Sequence, residues 1–163
     1  PEDFDRCLDI SCEAFITNNP AMIKLGAPAS VLKQLFSLEV APEFSVDTGL
    51  SLVARRDEDG EIVAALLAKV ADLTHELPES VWELHPGLQV MKESTEAAYQ
   101  IAASKPLTGL CLHSLMEGKA YHVQILGIDP SANGMGLGKA LSLRAVELAK
   151  AKGFNTVVAS VFR

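Results

Sequence analysis

The chain has 163 residues, 48% hydrophobic and 21% charged, which suits one soluble globular domain with a core of its own. Lys and Arg number 14 against 21 Asp and Glu, and the net charge of -7 opposes attraction to nucleic acid or to an anionic membrane surface, so neither is expected as a partner. The three cysteines, Cys7, Cys12 and Cys111, form no CxxC pair, which argues against a disulfide framework or a zinc site and fits a reducing, cytoplasmic setting.

No stretch reaches the roughly 18 apolar residues of a membrane span, and the acidic start Pro1-Glu2-Asp3 is unlike the basic start of a signal peptide. A chain that begins on Pro and stops on Val161-Phe162-Arg163, directly after an apolar run, reads as a single domain over residues 1–163 cut at both ends. Phe4, Cys7, Leu8, Ser11, Cys12 and Phe15 recur at helical spacing and predict a first helix ending before Asn18-Asn19-Pro20. A second helix is expected from Ser30 to about Glu39, with Val31, Leu32, Leu35, Phe36 and Leu38 as its apolar positions and Pro42 beyond it.

Two apolar runs, residues 50–56 and 62–70, flank the acidic, Gly-containing turn at 57–60 and predict a β-hairpin. From 73 to 104 the pattern loosens around Pro78, Pro86 and Gly87, then turns rich in helix formers after Val90, so a loop and a helix are expected there. Residues 121–128 alternate as a strand, Pro130 stops it, and a glycine-rich turn leads into a helix from about Gly136 to Lys152, capped by Gly153. Residues 156–161 form a last β-branched strand. A helix of this length between the two strands predicts a parallel, right-handed βαβ unit.

The turn carries the chemistry. Glycines alternate at 134, 136 and 138, just ahead of and within the first turn of a helix. Without Cβ atoms the backbone lets a ligand approach closely, and the first N–H groups of a helix have no internal partner, so they can donate to phosphate oxygens. Lys139 and Arg144 add positive charge nearby. A P-loop is excluded, because it needs glycine where Asn133 stands and Ser or Thr where Ala140 stands. A dinucleotide fingerprint starting at Gly134 needs glycine in place of Lys139 and a tighter strand-to-glycine turn. The bland alternative is a turn shaped by glycines under a packed helix.

The arrangement resembles the signature of the GNAT acetyltransferase superfamily: an apolar triplet ending a strand, here Leu126-Gly127-Ile128, then Asp129-Pro130, a variable turn, and R/Q-x-x-G-x-G/A opening a helix. The resemblance covers about residues 121–162 strongly and the preceding helix, helix, hairpin order weakly. Asn133 departs from the usual Arg or Gln, which predicts weaker pyrophosphate binding. The resemblance implies an α/β (α+β) fold with a mixed, twisted sheet and flanking helices, and acetyl-CoA as cosubstrate at a splay between the last two strands. It further implies that backbone groups of Leu126, Gly127 and Ile128 pair with the pantetheine arm, while Gly134, Met135, Gly136, Leu137, Gly138 and Lys139 hold the pyrophosphate. The family continues past the last strand with a helix and further strands, the helix often bearing a Tyr that protonates the leaving thiolate. The C-terminal part of the fold is thus expected to be truncated, leaving a sheet edge that favours a homodimer or aggregation.

The acyl acceptor implied is a primary amine of a small molecule. Such an amine, with a pKa near 10.4, is neutral in about one molecule in 2,500 at pH 7, so a proton acceptor is needed. His122 is the candidate base, on a strand whose period of two would put it on the face of Gln124 and Leu126. Its position resembles that of the catalytic Glu of other GNAT enzymes, or of the first His of the H-x-H pair in arylalkylamine acetyltransferases, with Gln124 in the second place. A hydrogen-bonded structural histidine fits the same pattern. The segment from Phe15 to Met22 resembles FF-x-x-E-P-L-N of insect arylalkylamine acetyltransferases with Asn19 in place of the glutamate, and it fits a plain helix end equally.

Direct transfer is expected rather than an acyl-enzyme, since no base is arranged to activate Cys111. Cys111 and His113 are candidates to line the acceptor site, although either residue in an apolar stretch is more often core. His75 and His85 have no evident ligand partners, and Trp82, Leu84 and Leu88 fit a packed insertion. Asn133, Asn19 and the truncation also motivate a non-catalytic acyl-CoA-binding domain, and a third reading is an unrelated phosphate-binding or structural α/β domain.

Overall fold

The computed structural model describes residues 2–26, 28–45, 48–71, 78–104 and 120–159. Three helices come first: α1 (Glu2–Asn18), α2 (Pro20–Leu25) and α3 (Ala29–Ser45). Strands β1 (Leu52–Arg55) and β2 (Ile62–Val70) follow, then α4 (Glu79–Trp82) and α5 (Pro86–Ser104). Strand β3 (Ala120–Ile128), a 3-10 turn (Pro130–Ala132), α6 (Leu137–Ala151) and β4 (Thr156–Ala159) complete the described chain. Among the described residues the sheet has the order β1-β2-β3-β4, antiparallel except for the parallel β3–β4 pair. This is the mixed sheet with flanking helices that the sequence predicts.

Two apolar layers sandwich the sheet. On one side the helical stripe of α1, with Cys7, Leu8, Ile10 and Cys12 buried, joins Leu32, Leu35, Phe36 and Val40 of α3 against Ala65, Leu67 and Ile125 of the sheet. Phe15 and Phe36 meet edge to face at 5.9 Å. On the other side Leu141, Ala145 and Ala149 of α6 pack on Ala64, Leu66, Ala68 and Tyr121. The Tyr121 hydroxyl donates to the Leu50 carbonyl, and burial pushes its ionisation up to about 12.

Local chemistry explains the boundaries. The hairpin turn closes through Arg56 N–H to the Glu61 carbonyl (2.9 Å) and Gly60 N–H to the Arg56 carbonyl (2.9 Å), with Gly60 at φ 73° where an L side chain is strained. Pro20 does more than stop α1. It opens α2, where its missing N–H costs nothing, and the buried Asn19 caps that helix by accepting the Met22 N–H at 3.3 Å. Helix α3 runs past Pro42, beyond the expected end at Glu39: a proline this near the C-terminus forfeits a single i→i−4 bond, which the apolar packing upstream offsets. Ser160 and Val161 of the expected last strand lie outside the described residues, as do His75, Cys111 and His113.

Candidate functional site

The site is built where β3 hands over to α6. Asp129 ends the strand, and its carboxylate accepts the Ser131 hydroxyl (2.7 Å) and the Ser131 N–H (2.9 Å), capping the 3-10 turn that Pro130 opens. Arg6 of α1 donates to the other carboxylate oxygen at 2.9 Å. The Ser131 hydroxyl first, then its amide and the Arg6 guanidinium, hold the Asp129 carboxyl below the usual carboxylate range. The Asp-Pro pair thus serves as a cap and tether, which fixes the direction in which the loop leaves the sheet.

Gly134 and Gly136 follow at φ 80° and 77°, in the left-handed region, with open space around the position of an added Cβ. Gly136 is the N-cap of α6, and no side chain caps the helix. The first helical bond is Ala140 N–H to the Gly136 carbonyl at 3.1 Å. The N–H groups of Leu137, Gly138 and Lys139 therefore have no intrahelical acceptor. Gly138 has a packing role: an added Cβ would lie 3.3 Å from Ile128 Cδ1 and 3.8 Å from Leu126 Cδ2, so glycine lets the helix start press against the strand end.

From Pro130 to Val146 the sequence contains no acidic residue, although the chain as a whole carries a net charge of -7. Met135 and Lys139 are exposed beside these donors. Arg144 is turned to other use, in an exposed ion pair with Glu147 at 2.8 Å. A donor-only set of backbone N–H groups at a positive helix end, with no acidic residue in its first turn, fits a pyrophosphate; the dipole contributes about 0.3–1 kcal/mol and the directed bonds the rest.

Leu126, Gly127 and Ile128 form the last turn of the strand before this loop. Among the described residues the β3–β4 ladder runs from Ala120–Thr156 to Val123–Ala159. Gly127 is fixed by packing: an added Cβ would lie 2.4 Å from Ser11 Cα, 2.7 Å from Ser11 N and 2.8 Å from the Ile10 carbonyl oxygen. Helix α1 crosses β3 at this point with no room for a side chain between them.

His122 lies on β3 between Lys69 of β2 and Val158 of β4, 8% exposed. It does not share a face with Leu126. The β2–β3 register shifts between Leu67–Ile125 and Ala68–Val123, so Gln124 is an extra residue in a β-bulge. The bulge interrupts the period of two: Tyr121, Val123, Leu126 and Ile128 all pack toward α6, whereas Ile125 packs toward α1. His122, flanked by Tyr121 and Val123, faces the α1 side. The sequence reading missed this bulge and the buried Lys69 opposite His122. A lone lysine in the apolar run 62–70 is the signal that could have found the second.

Asn19 acts as a helix cap, and His85 accepts the Gly87 N–H at 3.0 Å at the start of α5. Leu88 is fully buried and Trp82 packs partly against the α1-side core, while Leu84 is exposed. Burial pushes the Cys7 and Cys12 thiols up to about 11 and about 12, so neither is poised as a nucleophile.

The model of the acetyltransferase (GNAT) family matches residues 28–163. No curated protein sequence matches the chain significantly. Among solved structures, the C-terminal condensation domain of Ebony in complex with beta-alanyl-dopamine is similar with a TM-score of 0.73 at 15% identity, over 97% of this chain and 70% of that one. Arylalkylamine N-acetyltransferase 2 from Aedes aegypti gives 0.63 at 20% identity, over 97% and 71%. An acetyltransferase from Corynebacterium glutamicum related to histone acetyltransferase HPA2 gives 0.53 at 21%, over 91% and 67%. Similarity at this level of identity speaks to fold, and the family match spans most of the chain: the chain belongs to the GNAT family of acetyltransferases.

Proposed function

We propose that the protein transfers an acetyl group from acetyl-CoA to the primary amine of a small molecule by direct transfer, with His122 as proton acceptor. The observation that carries the donor half is the uncapped start of α6, reached through two left-handed glycines that follow β3 and with no acidic residue in its first turn. The N–H groups of Leu137, Gly138 and Lys139 hold the pyrophosphate, with Gly134, Met135 and Gly136 shaping the approach. The strand edge at Leu126, Gly127 and Ile128 offers backbone donors and acceptors to the pantetheine amides. Bound acetyl-CoA supplies a thioester, an acyl donor whose thiolate can leave.

The acceptor amine must lose a proton to attack, and the neutral form costs about 4.6 kcal/mol at pH 7. An imidazole held in the interior near the bulge can take that proton; general-base help of this kind is worth roughly 10²–10⁴-fold. Structures similar to this chain include one in complex with beta-alanyl-dopamine and an arylalkylamine N-acetyltransferase, so arylalkylamines are the first acceptors to try.

Release of CoA thiol is followed with a panel of arylalkylamines and aliphatic amines, for the wild type and for His122→Gln and Gly136→Val. The account expects His122→Gln to lose about 10²-fold or more in turnover while keeping acetyl-CoA affinity. Gly136→Val should lose the affinity itself. An unchanged rate and pH profile in His122→Gln removes the base assignment. Acetyl-CoA binding with no turnover on any amine favours a non-catalytic acyl-CoA-binding domain.

A further inference from the structure

A ring of side chains closes around the base of the glycine turn. Arg6 Nη2 donates to Asp129 Oδ2 at 2.9 Å and to Glu61 Oε1 at 3.0 Å. Asp129 Oδ1 accepts the Ser131 hydroxyl at 2.7 Å, and the oxygen of that hydroxyl accepts from Arg56 Nη2 at 3.4 Å. Arg56 Nη1 lies 3.4 Å from Glu61 Oε2, which returns the circuit to Arg6, and 2.9 Å from Asp59. The ring joins α1, the β1–β2 turn and the end of β3, which are far apart in sequence. Asp129 is more sheltered than the groups that join it to α1 and the hairpin, its side chain 20% exposed against 37% for Arg6 and 46% for Glu61. Its bond to Arg6 is accordingly less shared with water than an ordinary surface ion pair.

What Asp129 fixes is passed on along the backbone. Its own N–H donates to the Val63 carbonyl of β2 at 2.8 Å, which seats the residue on the sheet. A succession of tight turns follows: the Asp129 carbonyl accepts the Ala132 N–H at 2.9 Å, Pro130 accepts Asn133 at 3.3 Å, and Ala132 accepts Met135 at 3.4 Å. The Gly136 carbonyl then opens α6. Gly134 and Gly136, both at positive φ, bring no side chain to stiffen this path, so its direction has to be set upstream. Helix α1 is a rigid source for that anchor, because its backbone crosses β3 in direct contact at Gly127, five positions along from Arg6 at Ser11.

We propose that Arg6 is a positioning residue for the donor site. Its guanidinium, delivered by α1, locks the Asp129 carboxylate and with it the turn that aims the Leu137, Gly138 and Lys139 N–H groups. That a pyrophosphate sits on those groups is the reading proposed above, on which the functional value of Arg6 rests; the hold of Arg6 on the turn is separable and can be read without ligand.

Acetyl-CoA and S-acetylpantetheine, which lacks the pyrophosphate and nucleotide, are titrated calorimetrically into the wild type, Arg6→Gln, Arg6→Lys, Asp129→Asn, the double variant Arg6→Gln/Asp129→Asn, and Arg55→Gln. Arg55 pairs with Asp3 of α1 at 2.6 Å and has no bond to Asp129, so its variant reports the loss of an α1 ion pair as such. Arg6→Gln should bind acetyl-CoA about 3–10-fold more weakly and S-acetylpantetheine unchanged, the effect of one charge-assisted hydrogen bond to a sheltered carboxylate. Arg6→Lys should lie closer to the wild type than to Arg6→Gln. Asp129→Asn should match Arg6→Gln, and the double variant should lose no more than the weaker single one. Without ligand, amide hydrogen exchange of Ser131 and Ala132 should quicken about 3–10-fold in Arg6→Gln, while the Lys152 amide at the far end of α6 keeps its rate. Unchanged exchange at Ser131 and Ala132 overturns the proposal. So does wild-type affinity for acetyl-CoA in Arg6→Gln, an equal loss for both ligands, the same loss in Arg55→Gln, or an Arg6→Lys as weak as Arg6→Gln. If the folded wild type holds acetyl-CoA no more tightly than S-acetylpantetheine, the pyrophosphate reading falls, and the exchange rates alone decide whether Arg6 sets the turn.

Discussion

Gly127→Ala tests the packing that positions the whole site. An added Cβ would lie 2.4 Å from Ser11 Cα, 2.7 Å from Ser11 N and 2.8 Å from the Ile10 carbonyl oxygen. Carbon atoms settle at about 3.5–4.0 Å, so α1 and β3 must part by roughly an ångström. The obstructing atoms belong to the backbone of a helix whose stripe is buried along its length, and no side-chain rotation relieves the contact. The cost should sit at the upper end of the overpacking range, about 3 kcal/mol. At about 2–4 °C per kcal/mol for a chain of this size, thermal unfolding followed by circular dichroism should fall by about 6–12 °C. Ser11→Gly should not rescue it, because Cα and N remain in place. A loss below about 2 °C would refute the close crossing of α1 over β3.

Ser11→Ala should be neutral or stabilising by up to about 1 kcal/mol in urea unfolding, since among the described residues the buried Ser11 Oγ has no hydrogen-bond partner. The depressed carboxyl of Asp129 contributes stability that is present above the ordinary carboxylate pKa and lost as pH falls through its lower folded value. The stability gap between wild type and Asp129→Asn should therefore close on acidification below about pH 4, as measured by urea melts at stepped pH. Cys7 and Cys12, buried and with thiols raised to about 11 and about 12, should react with a disulfide reagent at pH 8 only after denaturant is added. Rapid modification of either in the native protein would contradict their burial.

What was legible in the sequence was local. The α1 stripe, the acidic turn between two apolar runs, and the strand, glycine turn and helix at residues 121–151 each repeat at the period of the element they form. Pro20 marks a stop in the sequence and is a start as well in the structure, because the same missing N–H suits both ends of a helix junction. The glycines were legible in position and only partly in purpose. Gly134 and Gly136 supply left-handed backbone, whereas Gly127 and Gly138 make room for α1 and for the strand end. Register was not legible: the extra residue at Gln124 reverses the facing of Leu126 relative to His122, and no composition signal marks a bulge. The apposition of Lys69 and His122 is likewise a product of strand pairing and cannot be read along the chain.

The central claim, a pyrophosphate held at the start of α6, is tested most directly by calorimetric titration of the folded wild-type chain with acetyl-CoA and, in parallel, with S-acetylpantetheine, which lacks the pyrophosphate and nucleotide. The account predicts acetyl-CoA binding with a Kd on the order of 1–10 μM and at least about 100-fold weaker binding of the truncated ligand. Equal affinities, or no binding of acetyl-CoA by folded protein, would contradict it.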